Sequence, residues 1–284
     1  MVGRLWRSNK VRWAFILLLA AAMAVVAKAW SDTTAEPEIV RFTAQLDGLP
    51  AGTPPLRLLL LSDIHVAGPD MPPERLARIV EQANRLAPDL ALIAGDFVSE
   101  KRTATRLYPA GEAIAPLTAL KAPLGKIAVP GNHDHWFDMA AVHRELERAG
   151  FTVLANEAVR IGPLTIGGLD DDYTDHADLP ETLTAMDRLG GGRILLSHSP
   201  DPFPDLPPNF GLMLAGHTHC GQIRYPWGGS PATMSAYGDR YACGAVRENG
   251  NLLITTAGIG TSVLPIRLFS RPEMWLIEIA PADR

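Results

Sequence analysis

The sequence predicts an α/β fold, and two observations carry that prediction. Short continuous apolar runs of strand length recur along the chain, as expected for strands buried on both faces. Between the first two of them lies a stretch whose apolar residues fall on one helical stripe. A third observation concerns chemistry. Carboxylate, amide and imidazole residues cluster where the apolar runs stop.

The first element is apolar and does not belong to that core. Arg4, Arg7, Lys10 and Arg12 precede an uninterrupted apolar run from Trp13 to Ala27, then Lys28, with polar sequence from Ser31. A core helix would not carry four cations ahead of it and a Pro-containing polar stretch behind. Residues 1–30 are read as a membrane anchor or signal segment, 31–37 as a linker and 38–284 as one folded domain. As a helix the apolar run spans about 22 Å, short of the ~30 Å hydrocarbon core. Ala27-Lys28-Ala29 is similar to a small-residue cleavage site, but Lys28 and Trp30 can extend the span as interfacial anchors. A retained anchor is expected. Cleavage near Ala29, or a cytoplasmic-facing domain, is the alternative. The basic flank places the N-terminus in the cytoplasm and the domain on the extracytoplasmic side.

Leu56–Leu61 reads as a strand, Pro73–Ala87 as a helix with Leu76, Ile79, Val80, Ala83 and Ala87 on one stripe, and Leu90–Ala94 as the next strand. This strand–helix–strand unit predicts a parallel pair. Ile127–Val129 is a third strand, stopped by Pro130-Gly131. Asp138 caps a helix to Ala149, closed by Gly150. Residues 151–168 suggest antiparallel strands. Asp178 and Glu181 start a helix to Leu189. Arg193–Leu196, Leu212–Ala215, Leu252–Thr256 and Glu273–Ile279 are further strands, and 225–250 reads as a long structured loop.

With 284 residues, one large core is the simplest reading. Net charge is −5 and no basic run follows residue 30, which argues against nucleic acid as a partner. A small phosphorylated substrate is compatible, because metals would supply the positive charge. Cys220 and Cys243 are expected to be two unrelated buried thiols, with a single bridge in an oxidising compartment as the alternative.

Five motifs follow predicted strands: Asp63-Ile64-His65, Gly95-Asp96, Gly131-Asn132-His133-Asp134, Ser197-His198 and Gly216-His217-Thr218-His219. In open α/β sheets, sites form beyond the carboxyl ends of strands. Asp63 and His65 alternate on an extended segment, so both face one site if Ile64 turns into the core. Asp96 follows a glycine and can bridge two cations with its carboxylate. Asn132 offers an amide oxygen. His217 and His219 are spaced to serve one metal each. Mixed Asp, Asn and His donors suit manganese, the first choice, or iron or zinc, better than calcium. Two such ions would clamp the attacking and leaving oxygens of a displacement at phosphorus and activate a bridging water.

These motifs, over residues 56–280, resemble the calcineurin-like metallophosphoesterase superfamily. The N-terminal apolar segment, Gly221-Gln222 and the late Gly258-Ile259-Gly260-Thr261-Ser262…Leu264-Pro265-Ile266-Arg267 resemble its bacterial membrane-anchored YkuE/YaeI-like group. The resemblance implies a two-sheet β-sandwich flanked by α-helices. It implies that Asp63, His65, Asp96 and His219 hold one metal and Asp96, Asn132, His198 and His217 the other. It implies that His133 protonates the leaving oxygen. The expected activity is hydrolysis of a phosphodiester or pyrophosphate in a phosphorylated small-molecule or lipid-linked envelope substrate. Hydrolysis of UDP-2,3-diacylglucosamine in lipid A synthesis is the alternative. A non-catalytic scaffold would be expected to lack some of these residues.

The stretch Phe97-Val98-Ser99-Glu100 lacks the acidic residue and arginine that follow Gly-Asp in protein phosphatases of the superfamily, which argues against that activity. It also leaves open what orients His133, with Asp134 a candidate. Asp170, Asp171, Asp172 and His176 read as a solvated acidic loop rather than a third metal site. His143 reads as solvated. His135, and Arg224 with Tyr225 and Trp227, fit either a substrate groove or local packing.

Overall fold

The computed structural model describes residues 2–282. Residues 1, 283 and 284, at the ends of the expected anchor and domain, lie outside the described residues. So do the side chains of residues 2–8, including Arg4 and Arg7. In chain order the strands are β1 (Glu38–Leu46), β2 (Leu56–Leu61), β3 (Ala67–Gly68), β4 (Leu90–Ala94), β5 (Arg106–Leu107), β6 (Lys126–Val129) and β7 (Thr152–Val153). They continue as β8 (Glu157–Ile161), β9 (Leu164–Gly168), β10 (Gly192–Leu196), β11 (Leu212–Ala215), β12 (Gly244–Glu248), β13 (Asn251–Thr255) and β14 (Glu273–Pro281). The helices are α1 (Val2–Thr34), α2 (Pro73–Arg85), α3 (Ala110–Ile114), α4 (Asn132–Arg148) and α5 (Leu179–Asp187).

One sheet runs β1-β14-β2-β4-β6-β7 and the other β12-β13-β11-β10-β9-β8. The leucine run Leu58–Leu61 of β2 explains their stacking. Leu58 and Leu60 face the second sheet and pack with Ile194, Leu196, Leu212 and Leu214. Leu59 and Leu61 face the opposite way and pack with Leu76 and Ile79 of α2. Beyond the second sheet, Leu195, Met213 and Leu253 pack with Met186 of α5. The layers are therefore α/β/β/α, a two-sheet sandwich flanked by helices. Leu58 through Leu61 are wholly buried, so truncating any of them to alanine costs about 2–5 kcal/mol.

The central strands β2, β4 and β6 pair in parallel, as do β9, β10, β11 and β13. Parallel neighbours end on the same side, so the five motifs emerge along one rim of the sandwich.

Several expectations are corrected. The stretch 31–37 is not simply a linker: α1 continues through Thr34, and Asp32 and Thr33 are buried. Residues 151–168 are antiparallel only in the β8–β9 hairpin, since β7 adds in parallel to β6. The loop 225–250 contains β12, an edge strand whose half-exposed residues give little apolar signal. Asp138 does cap, accepting a hydrogen bond from Ala141 N–H at 3.0 Å. It does so at a kink, because the helix already starts at Asn132. Cys220 and Cys243 form a disulfide. Spacing alone could not show this; the turn after His219 and the segment before β12 meet only in the folded chain.

Candidate metal centre

The Asp63–His65 segment is not extended as expected. Asp63, His65, Asp96, His217 and His219 all have φ between 48° and 67°, a region that non-glycine residues visit rarely and at a cost. The kinked backbone brings Asp63 and His65 to one side while Ile64 is buried in the core. Backbone pairing holds the kink: Asp63 N–H donates to Gly95 O at 3.1 Å, and the N–H groups of Ile64 and His65 donate to Asp96 O at 2.8 and 2.9 Å.

Each carboxylate has one oxygen tied to a backbone N–H and the other turned toward the histidines. Asp63 Oδ2 accepts His217 N–H at 2.9 Å and lies 2.6 Å from Ser62 Oγ. Its Oδ1 is buried without a hydrogen-bond donor, 3.3 Å from His219 Nε2. Asp96 Oδ1 accepts His133 N–H at 2.9 Å. Its Oδ2 stands 3.3 Å from His65 Nε2 and 3.2 Å from His198 Nε2, facing both groups at once. His65 Nε2 and His219 Nε2 are 3.1 Å apart.

The second group centres on His198. Its Nδ1 lies 2.7 Å from the Ala94 carbonyl, which can only accept, so Nδ1 carries the proton. Its Nε2 points inward, 3.0 Å from Asn132 Oδ1 and 3.1 Å from His217 Nδ1. Ligand-type atoms from both groups have converged at distances of 3.0–3.3 Å. A cation resolves that arrangement, and His and Asp groups here can hold one. The residues present thus fit a pair of metals.

Electrostatics favour the same use. Burial pushes His217 down to about 3, with His198 adding to the effect. Burial also holds His65 and His219 well below the ordinary histidine range. All three are neutral at pH 7. Burial would raise Asp96, but His198, His133 and His65 more than offset it and hold the carboxyl well below its usual range. Burial lifts Asp63 to about 6, opposed by His198. Burial works against protonation of His198, yet Asp96 keeps it well above the ordinary value. A divalent cation would take the place of that proton.

His133 borders the cluster, its ring edge-on to His65 with centroids 4.6 Å apart. The group that orients it is Glu100, whose carboxylate oxygens both lie 2.8 Å from Nδ1. Asp134 instead ties two motifs together, accepting the N–H groups of Asp96, Phe97 and Gly131 at 2.8, 2.9 and 3.0 Å. Burial opposes protonation of His133, but Asp96 and Glu100 together raise its pKa. Its Nε2 lies 3.2 Å from Ser262 Oγ in a cleft of about 200 Å³, lined also by Trp136, Tyr173, Met234 and Val263.

Sequence reasoning missed the roles of Glu100 and Arg267. Arg267 is fully buried, bonds the carbonyls of Gly260 and Ala257, and brings Nη2 to 3.2 Å from His219 Nδ1. No spacing rule links it to His219; Glu100, four residues beyond Asp96, was the more legible of the two. The other candidates stay outside the cluster. His135 contacts Asp170 at 2.8 Å and stacks on His176. The expected solvated acidic loop is a built turn: Asp171 is buried and accepts from Thr174 N–H at 2.8 Å. Tyr225 and Trp227 stack on each other. His143 is exposed beside Glu147.

The family model for calcineurin-like phosphoesterases matches residues 56–221. The chain belongs to the calcineurin-like phosphoesterase family. It is 33% identical over 248 residues to the metallophosphoesterase YkuE of Bacillus subtilis, covering 84% of this chain and 83% of that one. It is 31% identical over 247 residues to YkoQ of the same organism, covering 83% and 87%. A zebrafish (Danio rerio) transmembrane protein with a metallophosphoesterase domain is 30% identical over 286 residues, covering 94% of this chain and 62% of the relative. This calcineurin-like chain is thus a metal-dependent phosphoesterase, and its family uses a dinuclear metal centre. Its apolar α1 fits a membrane anchor or a signal.

Proposed function

We infer that this phosphoesterase hydrolyses a phosphodiester or pyrophosphate bond at two metals, manganese first, with iron or zinc as alternatives. Asp63, His65, Asp96 and His219 would hold one metal, and Asp96, Asn132, His198 and His217 the other. The observation that carries the reading is Asp96 Oδ2, which faces His65 and His198 together while its Oδ1 is anchored on His133 N–H. When bound, the metals supply Lewis acidity and an activated water. His133 donates a proton from Nε2 to the leaving oxygen. Glu100 holds the other ring nitrogen, so the ring keeps its orientation and the imidazolium is stabilised.

The disulfide supports an extracytoplasmic domain, since such bonds persist in oxidising compartments. It favours an envelope or lipid-linked phosphodiester over a lipid A precursor made in the cytoplasm. The last turn of α1 is bonded into the domain: Arg267 N–H donates to Thr33 Oγ1 at 2.6 Å and Phe269 N–H to Asp32 Oδ2 at 3.1 Å, so a retained α1 would hold the domain close against the bilayer.

The test is hydrolysis of bis(p-nitrophenyl) phosphate by the detergent-solubilised full chain after chelation and readdition of Mn²⁺. Activity that is lost and restored, and absent in His133→Asn and Asp96→Asn, supports the reading. A fully metallated wild type inert to diester, monoester and pyrophosphate substrates refutes it.

A further inference from the structure

The loop that follows Gly260 reverses the usual arrangement of polar and apolar side chains. Val263, Leu264, Ile266 and Phe269 are 69%, 43%, 36% and 45% exposed, while Arg267, the one cation among them, is wholly buried. In water the opposite is expected, because a buried guanidinium needs partners and exposed apolar clusters gain nothing. Here the guanidinium finds its partners inside, on backbone carbonyls.

The same loop is joined to the end of α1. Besides the bonds to Asp32 and Thr33, the Lys28 ammonium lies 5.3 Å from the Phe269 ring centroid. The apolar part of α1 is almost wholly exposed: only 6% of its most apolar window is buried. With Trp30 as its interfacial anchor, Thr33 follows three residues on, a helical rise of about 4.5 Å. The polar zone on each side of the hydrocarbon core is itself only about 5–8 Å deep. A spanning α1 therefore fixes the loop at the headgroup layer.

A second strip continues the surface. Arg224 N–H donates to Leu268 O at 2.9 Å and Leu268 N–H to Gln222 O at 3.0 Å. Just beyond this pairing lie Tyr225 and Trp227, stacked with centroids 5.3 Å apart and Trp227 82% exposed. Exposed Trp and Tyr are typical of membrane–water boundaries. The loop also forms one wall of the catalytic cleft through Ser262 and Val263. Gln222, three residues past His219, ties it down by bonding Ser262 N–H and Leu264 O.

We propose that Val263, Leu264, Ile266, Phe269 and Trp227 form a lip that inserts into the headgroup–acyl boundary of the bilayer holding α1. The cleft mouth is thereby seated on the membrane surface, open to the phosphorylated headgroup of an amphiphile. This rests on the reading of α1 as a retained span.

The test uses the full chain in phosphatidylcholine–phosphatidylglycerol vesicles, with and without phosphatidylcholine brominated at carbons 6 and 7. The emission difference between wild type and Trp227→Phe isolates Trp227. Brominated lipid is expected to quench that difference about twofold or more. Leu264→Glu with Ile266→Glu is expected to remove most of the quenching while hydrolysis of soluble bis(p-nitrophenyl) phosphate persists. If the chain resists alkaline carbonate extraction but Trp227 is not quenched, the lip is refuted and the anchor stands. If carbonate releases the chain, both readings fall.

Discussion

The two sheets contribute unlike halves to the centre. The first supplies Asp63, His65, Asp96 and Asn132, mostly oxygen donors; the second supplies His198, His217 and His219, all imidazole. Each half is oriented by the other. His217 N–H, from the second sheet, fixes Asp63 on the first, and the Ala94 carbonyl on the first fixes the tautomer of His198 on the second. The centre is therefore a seam, and its geometry depends on how closely the sheets approach. Gly216 shows how close that is: a Cβ there would stand 2.5 Å from Asp63 Oδ2. The first half brings the carboxylates, and the second brings three imidazoles, of which His217 and His219 are held neutral by burial.

The largest effect should come from breaking the element both halves share. Asp96→Asn is expected to lower turnover by at least on the order of 10³-fold and to leave less than one metal per chain by elemental analysis. His133→Asn should cost about 10²–10⁴-fold in kcat with metal content unchanged, which separates proton donation from metal holding. Glu100→Gln should act through the same group. Glu100 helps raise the His133 pKa, and the acid form is lost as pH rises through that value. Without Glu100, the alkaline limb of the kcat profile should therefore move to lower pH.

Stability effects come next. Cys243→Ser should cost about 3 kcal/mol for the opened loop, measured by chemical denaturation. It should also weaken metal retention on the imidazole half, because Cys220 adjoins His219. Ser62→Ala removes a hydroxyl from Asp63 Oδ2 on the oxygen half, with metal affinity expected to fall about tenfold by competition with a chelator. The smallest effect is His135→Ala, outside the seam. The hydrogen bond to Asp170 raises the His135 pKa. Its contribution is present below the unfolded value and lost as pH rises through the folded one. The variant should lose under about 1 kcal/mol at pH 5 and almost nothing at pH 9, read from Tm.

Much of this was legible in the chain itself. Leu90–Ala94 and Leu212–Ala215 have the bounds that their apolar runs imply, because a strand buried on both faces leaves no other pattern; in Leu56–Leu61 that pattern covers Leu58–Leu61, with Arg57 ahead of it. All seven candidate donors meet in one cluster because parallel strands end on one side. Edge strand β12 was not legible, since its half-exposed side chains carry no such pattern.

By itself the sequence determined the residue types at the site, the α/β class and an apolar N-terminal segment whose charged flanks set it apart from the core. Each follows from local pattern. The tertiary structure decided which oxygen of each carboxylate faces the histidines, that Glu100 holds His133, that Cys220 and Cys243 are bonded, and that α1 docks beside the cleft. Those depend on distances between residues remote in the chain, such as Thr33 and Arg267, and only packing of the two sheets and their loops sets such distances.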